Sequence, residues 1–169
     1  MQRILGIDPG TRVTGFGAVS VDEATGLVSL SQMGVLKAST KGTLAQRLFT
    51  MSRLLDEVFD KINPTEVAVE QPFVARNVKA AFAIGEARGI SLIAAAARDL
   101  PVHEYPPAAI RETVAGHGGA TKTDVAAMVA AHLQLGGEAR ELDATDATAV
   151  ALCHIFRSRS QLLTVISKT

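Results

Sequence analysis

The chain has 169 residues, 47% of them hydrophobic and 20% charged, with 17 basic and 17 acidic side chains and no net charge at pH 7. That balance describes one folded domain with a substantial core and excludes a disordered chain. Cys153 is the single cysteine, which excludes an intrachain disulfide and a cysteine-based zinc site. No apolar run reaches the roughly 18 residues of a membrane helix, and no basic-then-apolar leader opens the chain. A reduced, cytoplasmic protein without membrane contact is expected.

Ile4, Leu5 and Ile7 form a short apolar run suited to a strand buried on both faces. Asp8 ends that run, and Pro9-Gly10 turns the chain. Residues 13–21 alternate small or polar with apolar side chains and read as a second strand. A hairpin loop from Asp22 to Gly26 leads into a third, Leu27 to Leu36. Leu44, Leu48, Met51, Leu55, Val58 and Phe59 have the spacing of an amphipathic helix over Thr43–Ile62, which Asn63-Pro64 ends. Val67-Ala68-Val69 is a short strand with Glu70 at its end. Asn77 to Leu100 reads as a long alanine-rich helix. Gly85 and Gly89 within it each cost about 1 kcal/mol relative to alanine, which points to a closely approaching helix, in this chain or in a second subunit. Val102 to Tyr105 is a fifth strand, and a short helix runs on through Val114. After the Gly116–Gly119 loop, Thr121 or Thr123 caps a helix to about Leu135. Gly136-Gly137 breaks the chain before a last helix from near Leu142 to about Ser158. The expected fold is α/β, a five-stranded mixed sheet flanked by helices: a three-stranded meander, then parallel additions through helical crossovers. Residues 1–160 are read as one domain and 161–169 as a tail of uncertain order.

Four carboxylates stand out. A carboxylate at the tip of a buried strand, as at Asp8, is costly unless compensated, by a cation or by hydrogen bonds within its own turn. Asp143 and Asp146 share one face of the last helix near its N-terminus, a place that suits ionised acids and equally suits ordinary capping. Glu70, alone a common solvated strand end, would emerge beside Asp8 if their strands are parallel neighbours, at the sheet edge where α/β proteins bind ligands. An all-oxygen set of this kind suits Mg²⁺ or Mn²⁺ and not zinc. Two such ions can activate water on one side of a phosphodiester and stabilise the leaving oxygen on the other. The neutral net charge speaks against a nucleic-acid partner, although residues 71–122 hold six basic side chains against four acids.

The runs Gly6-Ile7-Asp8-Pro9-Gly10-Thr11-Arg12-Val13-Thr14-Gly15, Val69-Glu70-Gln71-Pro72-Phe73-Val74-Ala75-Arg76-Asn77 and Leu142-Asp143-Ala144-Thr145-Asp146-Ala147 resemble the RuvC family of Holliday-junction resolvases. Glu86-Ala87-Arg88-Gly89 is similar to part of that family's long helix, and the likeness runs in order along nearly the whole chain. The resemblance implies a ribonuclease H-like fold and a homodimer packed through the long helices. It implies two active sites that use Mg²⁺, or Mn²⁺ in its place, to nick two like-polarity strands of a four-way DNA junction. Asp8, Glu70, Asp143 and Asp146 would be the metal ligands and catalytic carboxylates, with Lys122 near the scissile phosphate; from spacing alone Lys122 is a helix-start surface residue. Phe73 would stack on an exposed base, or else be a partly buried loop side chain. Arg76, Lys79 and Arg111 would meet DNA phosphates, Arg111 standing where some members carry lysine. A RuvA–RuvB branch-migration complex is the partner the family implies.

Asp8-Pro9-Gly10-Thr11 also resembles the phosphate loop of actin-like ATPases and sugar kinases, which need two such domains where this chain supplies one. A related family of resolvase-like ribosomal-RNA processing nucleases shares the Asp-x-Gly opening. The Glu70-Gln71 run and the Asp143/Asp146 pair favour the resolvases. A non-catalytic junction-binding protein is the third reading.

Overall fold

A computed structural model describes residues 1–39, 41–72, 78–136 and 141–166, with no side-chain description for 78–81 and 161–166. The elements follow in the order β1 (Gln2–Asp8), β2 (Val13–Val21), β3 (Val28–Lys37), α1 (Leu44–Ile62), β4 (Glu66–Glu70), α2 (Val78–Ala96), β5 (Val102–Tyr105), α3 (Pro107–Ala115), α4 (Lys122–His132) and α5 (Leu142–Ile166). The sheet order is β3-β2-β1-β4-β5, with β1–β2 and β2–β3 antiparallel and β1–β4 and β4–β5 parallel. The expected meander with parallel additions is the one observed. No helix among the described residues is long and apolar enough to cross a membrane.

Both faces of the sheet are covered, so the central strands read as continuous apolar runs. Leu5, Ile7, Val67 and Val69 pack toward α1 and α2, in a core that includes Met51, Leu55, Phe59, Ala94 and Ala95. Ile4, Val19 and Ala68 face the opposite way, with Ile110 and Val114 of α3, Val125 and Val129 of α4, and Val150 to Cys153 of α5. Side chains alternate along a strand, so Gly6 and Asp8 of β1, Glu66 and Glu70 of β4, and His103 and Tyr105 of β5 all lie on the α5 face.

Glycine lets α5 lie close against that face. A Cβ on Gly6 would stand 2.1 Å from the Ala147 carbonyl oxygen, one on Gly15 2.0 Å from that of Asp143, and one on Gly17 2.2 Å from Thr148 Oγ1. Gly6 pairs with Gly17, and Asp8 with Gly15, across β1 and β2. The sheet is therefore bare of side chains along the track where the helix lies, as close backbone approach requires.

Several boundaries differ from expectation. The long helix ends at Ala96 rather than Leu100, because the chain turns through Asp99 in the left-handed region (φ 52°). The fourth helix stops at His132, with Gln134 also left-handed (φ 52°). The last helix continues past Ser158 to Ile166, so the first part of the expected tail is helical. Among the described residues no helix of this chain packs at Gly85 or Gly89, since a Cβ on either would meet nothing within 4 Å there.

Candidate active site

Asp8 is the last residue of β1 and Glu70 the last of β4, each one position beyond the Ile7–Val69 pair of the parallel ladder. Both carboxylates therefore leave the sheet side by side at the carboxyl edge of adjacent strands. Asp143 and Asp146 arrive from the first two turns of α5, held over that edge by the contacts at Gly6 and Gly15. Carboxylate oxygens of Asp8, Asp143 and Asp146 lie within 4.8 Å of one another. Glu70 stands outside that close trio but lines the same cleft, a hollow of about 300 Å³ shared with Asp8, Asp146, Lys122, Arg111 and Ile110.

The electrostatics are those of crowded acids. Burial first, then the charges of Asp146 and Asp143, push Asp8 up to about 6. Burial, then Asp8 and Asp146, push Glu70 up to about 8. Lys122 opposes both shifts and Arg111 opposes that of Glu70. Three carboxylates of like charge in one half-buried hollow call for a cation. Their oxygen donors match a hard divalent ion, so the residues present fit such a group. Divalent-metal use is what this donor set supports.

Lys122 is the first residue of α4, whose start is fixed by a reciprocal cap: Thr121 Oγ1 accepts from the Asp124 N–H while the Asp124 carboxylate accepts from the Thr121 N–H. From there its ammonium donates to Asp146 Oδ2. That bond raises the Lys122 pKa above its usual value. The lysine is thus a fixed cation and not a proton acceptor. Arg111, on α3, donates from Nε to the Gly118 carbonyl at 2.9 Å and lines the same cleft. Phe73 and Arg76 lie outside the described residues. Lys79 lies in α2, its side chain outside the described set. His117, for which the sequence offered no role, sits in the loop after α3, near Asp124, whose pKa the Thr121 hydrogen bonds lower. Sequence reasoning passed over Gly15 and Gly17 as seats for α5; two glycines two apart in a strand, on the face of Gly6, were the available signal.

The family model for crossover junction endodeoxyribonuclease RuvC matches residues 4–154. The chain belongs to the RuvC family. A crossover junction endodeoxyribonuclease RuvC of Halorhodospira halophila is 47% identical over 154 residues, covering 91% of this chain and 90% of its own. The RuvC of Dehalococcoides mccartyi is 46% identical over 155 residues, covering 90% of each. Thermus thermophilus RuvC in complex with a Holliday junction substrate superposes with a TM-score of 0.86 at 35% identity, covering 95% of this chain and 97% of that one. The mixed sheet and its helices are the ribonuclease H-like fold of these resolvases. The RuvC family reading gives the clustered acids a context that capping or a solvated strand end would not.

Proposed function

We propose that this chain is an endonuclease that resolves Holliday junctions, nicking two strands of like polarity and leaving 5′-phosphate and 3′-hydroxyl ends. The observation that carries the reading is the convergence of Asp8, Asp143 and Asp146, from opposite ends of a RuvC-family chain, on one cleft beside Glu70. The four carboxylates act as ligands to Mg²⁺, two ions per site, with Mn²⁺ able to substitute. When bound, the ions supply an activated water for in-line attack and stabilise the departing 3′ oxygen.

The protein's own groups prepare that chemistry. Asp8 and Glu70 hold protons more firmly than free carboxyls do, and give them up when a cation enters the cleft. Lys122, 67% exposed and already protonated, exchanges its bond to Asp146 for one to a phosphate oxygen of the cut strand. Arg111 adds a second positive wall, its Nε kept in place by Gly118. Phe73 stacks on a base at the junction, a contact worth about 1–3 kcal/mol in single-stranded binding, and Arg76 and Lys79 meet phosphates.

The catalytic unit is a single domain over residues 1–160. It works as a homodimer, one site per cut strand, joined through α2. Phe82 and Ile93 are 70% and 71% exposed there, and among the described residues nothing approaches Gly85 or Gly89 along the same helix. A RuvA–RuvB complex delivers the junction in the cytoplasm, with the DNA it acts on. The test is a junction cut by the protein in Mg²⁺ and then treated with DNA ligase. Resealed strands are expected; nicks that ligase cannot close would overturn the end chemistry. Cleavage of a ribosomal-RNA precursor with the junction left intact would favour the RNA-processing alternative, and tight junction binding without cleavage the non-catalytic one.

A further inference from the structure

Midway along α5, His154 belongs to a second cluster that phosphodiester cleavage leaves unused. Glu66 opens β4, His103 lies on β5 in register with Ala68, and His154 sits eight residues beyond Asp146 on α5. All three are on the sheet face that bears Asp8 and Glu70. Four strand steps from Glu66 to Glu70 hold the two clusters about 13 Å apart. Glu66 Oε2 is 3.1 Å from His103 Nε2 and 3.0 Å from His154 Nε2. The two imidazoles stack with centroids 4.2 Å apart.

Hydrogen bonding accounts for only part of this arrangement. His154 is buried and saturated: Nε2 meets Glu66, and Nδ1 lies 2.8 Å from the Tyr105 hydroxyl. Gln2 Nε2 donates to the other oxygen of Glu66 at 2.5 Å. His103 Nε2 is also buried, but its 3.1 Å approach to Glu66 lacks hydrogen-bond geometry, so it has no hydrogen-bond partner among the described residues. One carboxylate oxygen thus faces two ring nitrogens and satisfies one. A buried ring nitrogen without a partner is costly unless something else takes its lone pair.

We infer that Glu66 Oε2, His103 Nε2 and His154 Nε2 bind a divalent transition-metal ion of the Zn²⁺ type. Two imidazole nitrogens and one carboxylate oxygen are a borderline donor set, which suits Zn²⁺ or Co²⁺ and distinguishes this cluster from the all-oxygen one. Metal bonds of about 2.0–2.1 Å at tetrahedral angles put neighbouring donors about 3.3 Å apart. The two oxygen–nitrogen separations are already 3.1 and 3.0 Å, and the three residues offer ligand atoms within 4.8 Å of one another. The outer contacts are those of a metal histidine. With Nε2 on the ion, His154 Nδ1–H donates to Tyr105 Oη, while Gln2 orients the carboxylate. Burial, then the neighbouring His103, holds His154 below the usual histidine range, in the neutral form that ligates. His103 is 39% exposed, which leaves a path for the ion. The ion would join β4, β5 and α5, and so fasten the helix that presents Asp143 and Asp146.

The test uses the full chain, stripped of metal and titrated with Co²⁺ in excess Mg²⁺. One Co²⁺ per chain should bind with the visible spectrum of nitrogen coordination, yield to one equivalent of Zn²⁺, and persist in Asp8→Asn. His103→Phe should weaken binding by about tenfold or more and remove the rise in melting temperature that Zn²⁺ gives the parent. In the unaltered chain, one equivalent of Zn²⁺ should shift the ring-proton NMR signals of His103 and His154. Unshifted rings, undiminished binding by a folded His103→Phe, or loss of all Co²⁺ binding in Asp8→Asn would overturn the site.

Discussion

Asp8 carries two opposed demands, because burial and two neighbouring carboxylates disfavour its charge while the proposed chemistry requires it. Asp8→Asn removes that charge and keeps the shape. Cleavage should disappear while junction binding persists or strengthens, since a negative group facing phosphate is gone; a filter-binding assay beside a cleavage assay reads both. Loss of binding would instead make Asp8 a folding residue. Lys122→Ala leaves Asp146 without its ammonium partner. Turnover should fall by one to several orders of magnitude, as when a preorganised charge is lost from a reacting centre, with little change in melting temperature at a position 67% exposed. The sign of the pH dependence follows from the two acids. Folded pKa values of about 6 for Asp8 and about 8 for Glu70, against ordinary values of 3.8 and 4.5, mean that the folded state holds protons the unfolded chain has released. Metal-free protein should lose stability as pH rises from about 4 toward 8. Mg²⁺ should restore more of it at pH 8 than at pH 5, which thermal melts with and without EDTA would show.

At the scale of elements, the site depends on how closely α5 lies against β1 and β2. Gly15→Ala would place a methyl 2.0 Å from the Asp143 carbonyl oxygen, so backbone must move. A loss of about 1–3 kcal/mol or more is expected from overpacking. Cleavage should fall further than stability does, because Asp143 moves with the helix. The same contact explains what was legible in the sequence and what was not. The strands, the amphipathic spacing of α1 and the acids at element ends were readable, because burial and turns leave local marks. Asp8 and Glu70 could be read as strand ends that meet at one sheet edge if their strands are parallel neighbours, which they are. That α5 brings Asp143 and Asp146 over them depends on the backbone approach at Gly6, Gly15 and Gly17, whose spacing marks a bare strand face but not which helix lies on it. The ends of α2 and α4 were misjudged for a related reason: Asp99 and Gln134 turn the chain in left-handed conformations without a glycine to announce it. The Glu66, His103 and His154 cluster was invisible because its members come from three elements, far apart in sequence and with no motif spacing.

For the whole molecule, a neutral chain acting on DNA is less surprising once its acids are sorted. Asp8, Glu70, Asp143 and Asp146 belong to one cleft, and Glu104 is held by Arg88 in paired contacts of 2.5 and 2.6 Å that tie α2 to β5. Lys122 and Arg111 face the cleft from its rim. If α2 joins two copies, Ile93→Glu should convert a dimer to a monomer in sedimentation and reduce paired cutting to single nicks. The most direct test compares a synthetic four-way DNA junction with a linear duplex of the same sequence, each incubated with Mg²⁺, Mn²⁺ or EDTA. Paired, symmetric nicks confined to the junction and abolished by EDTA are the predicted result. Equal cutting of the linear duplex, or junction cleavage that survives EDTA, would contradict it.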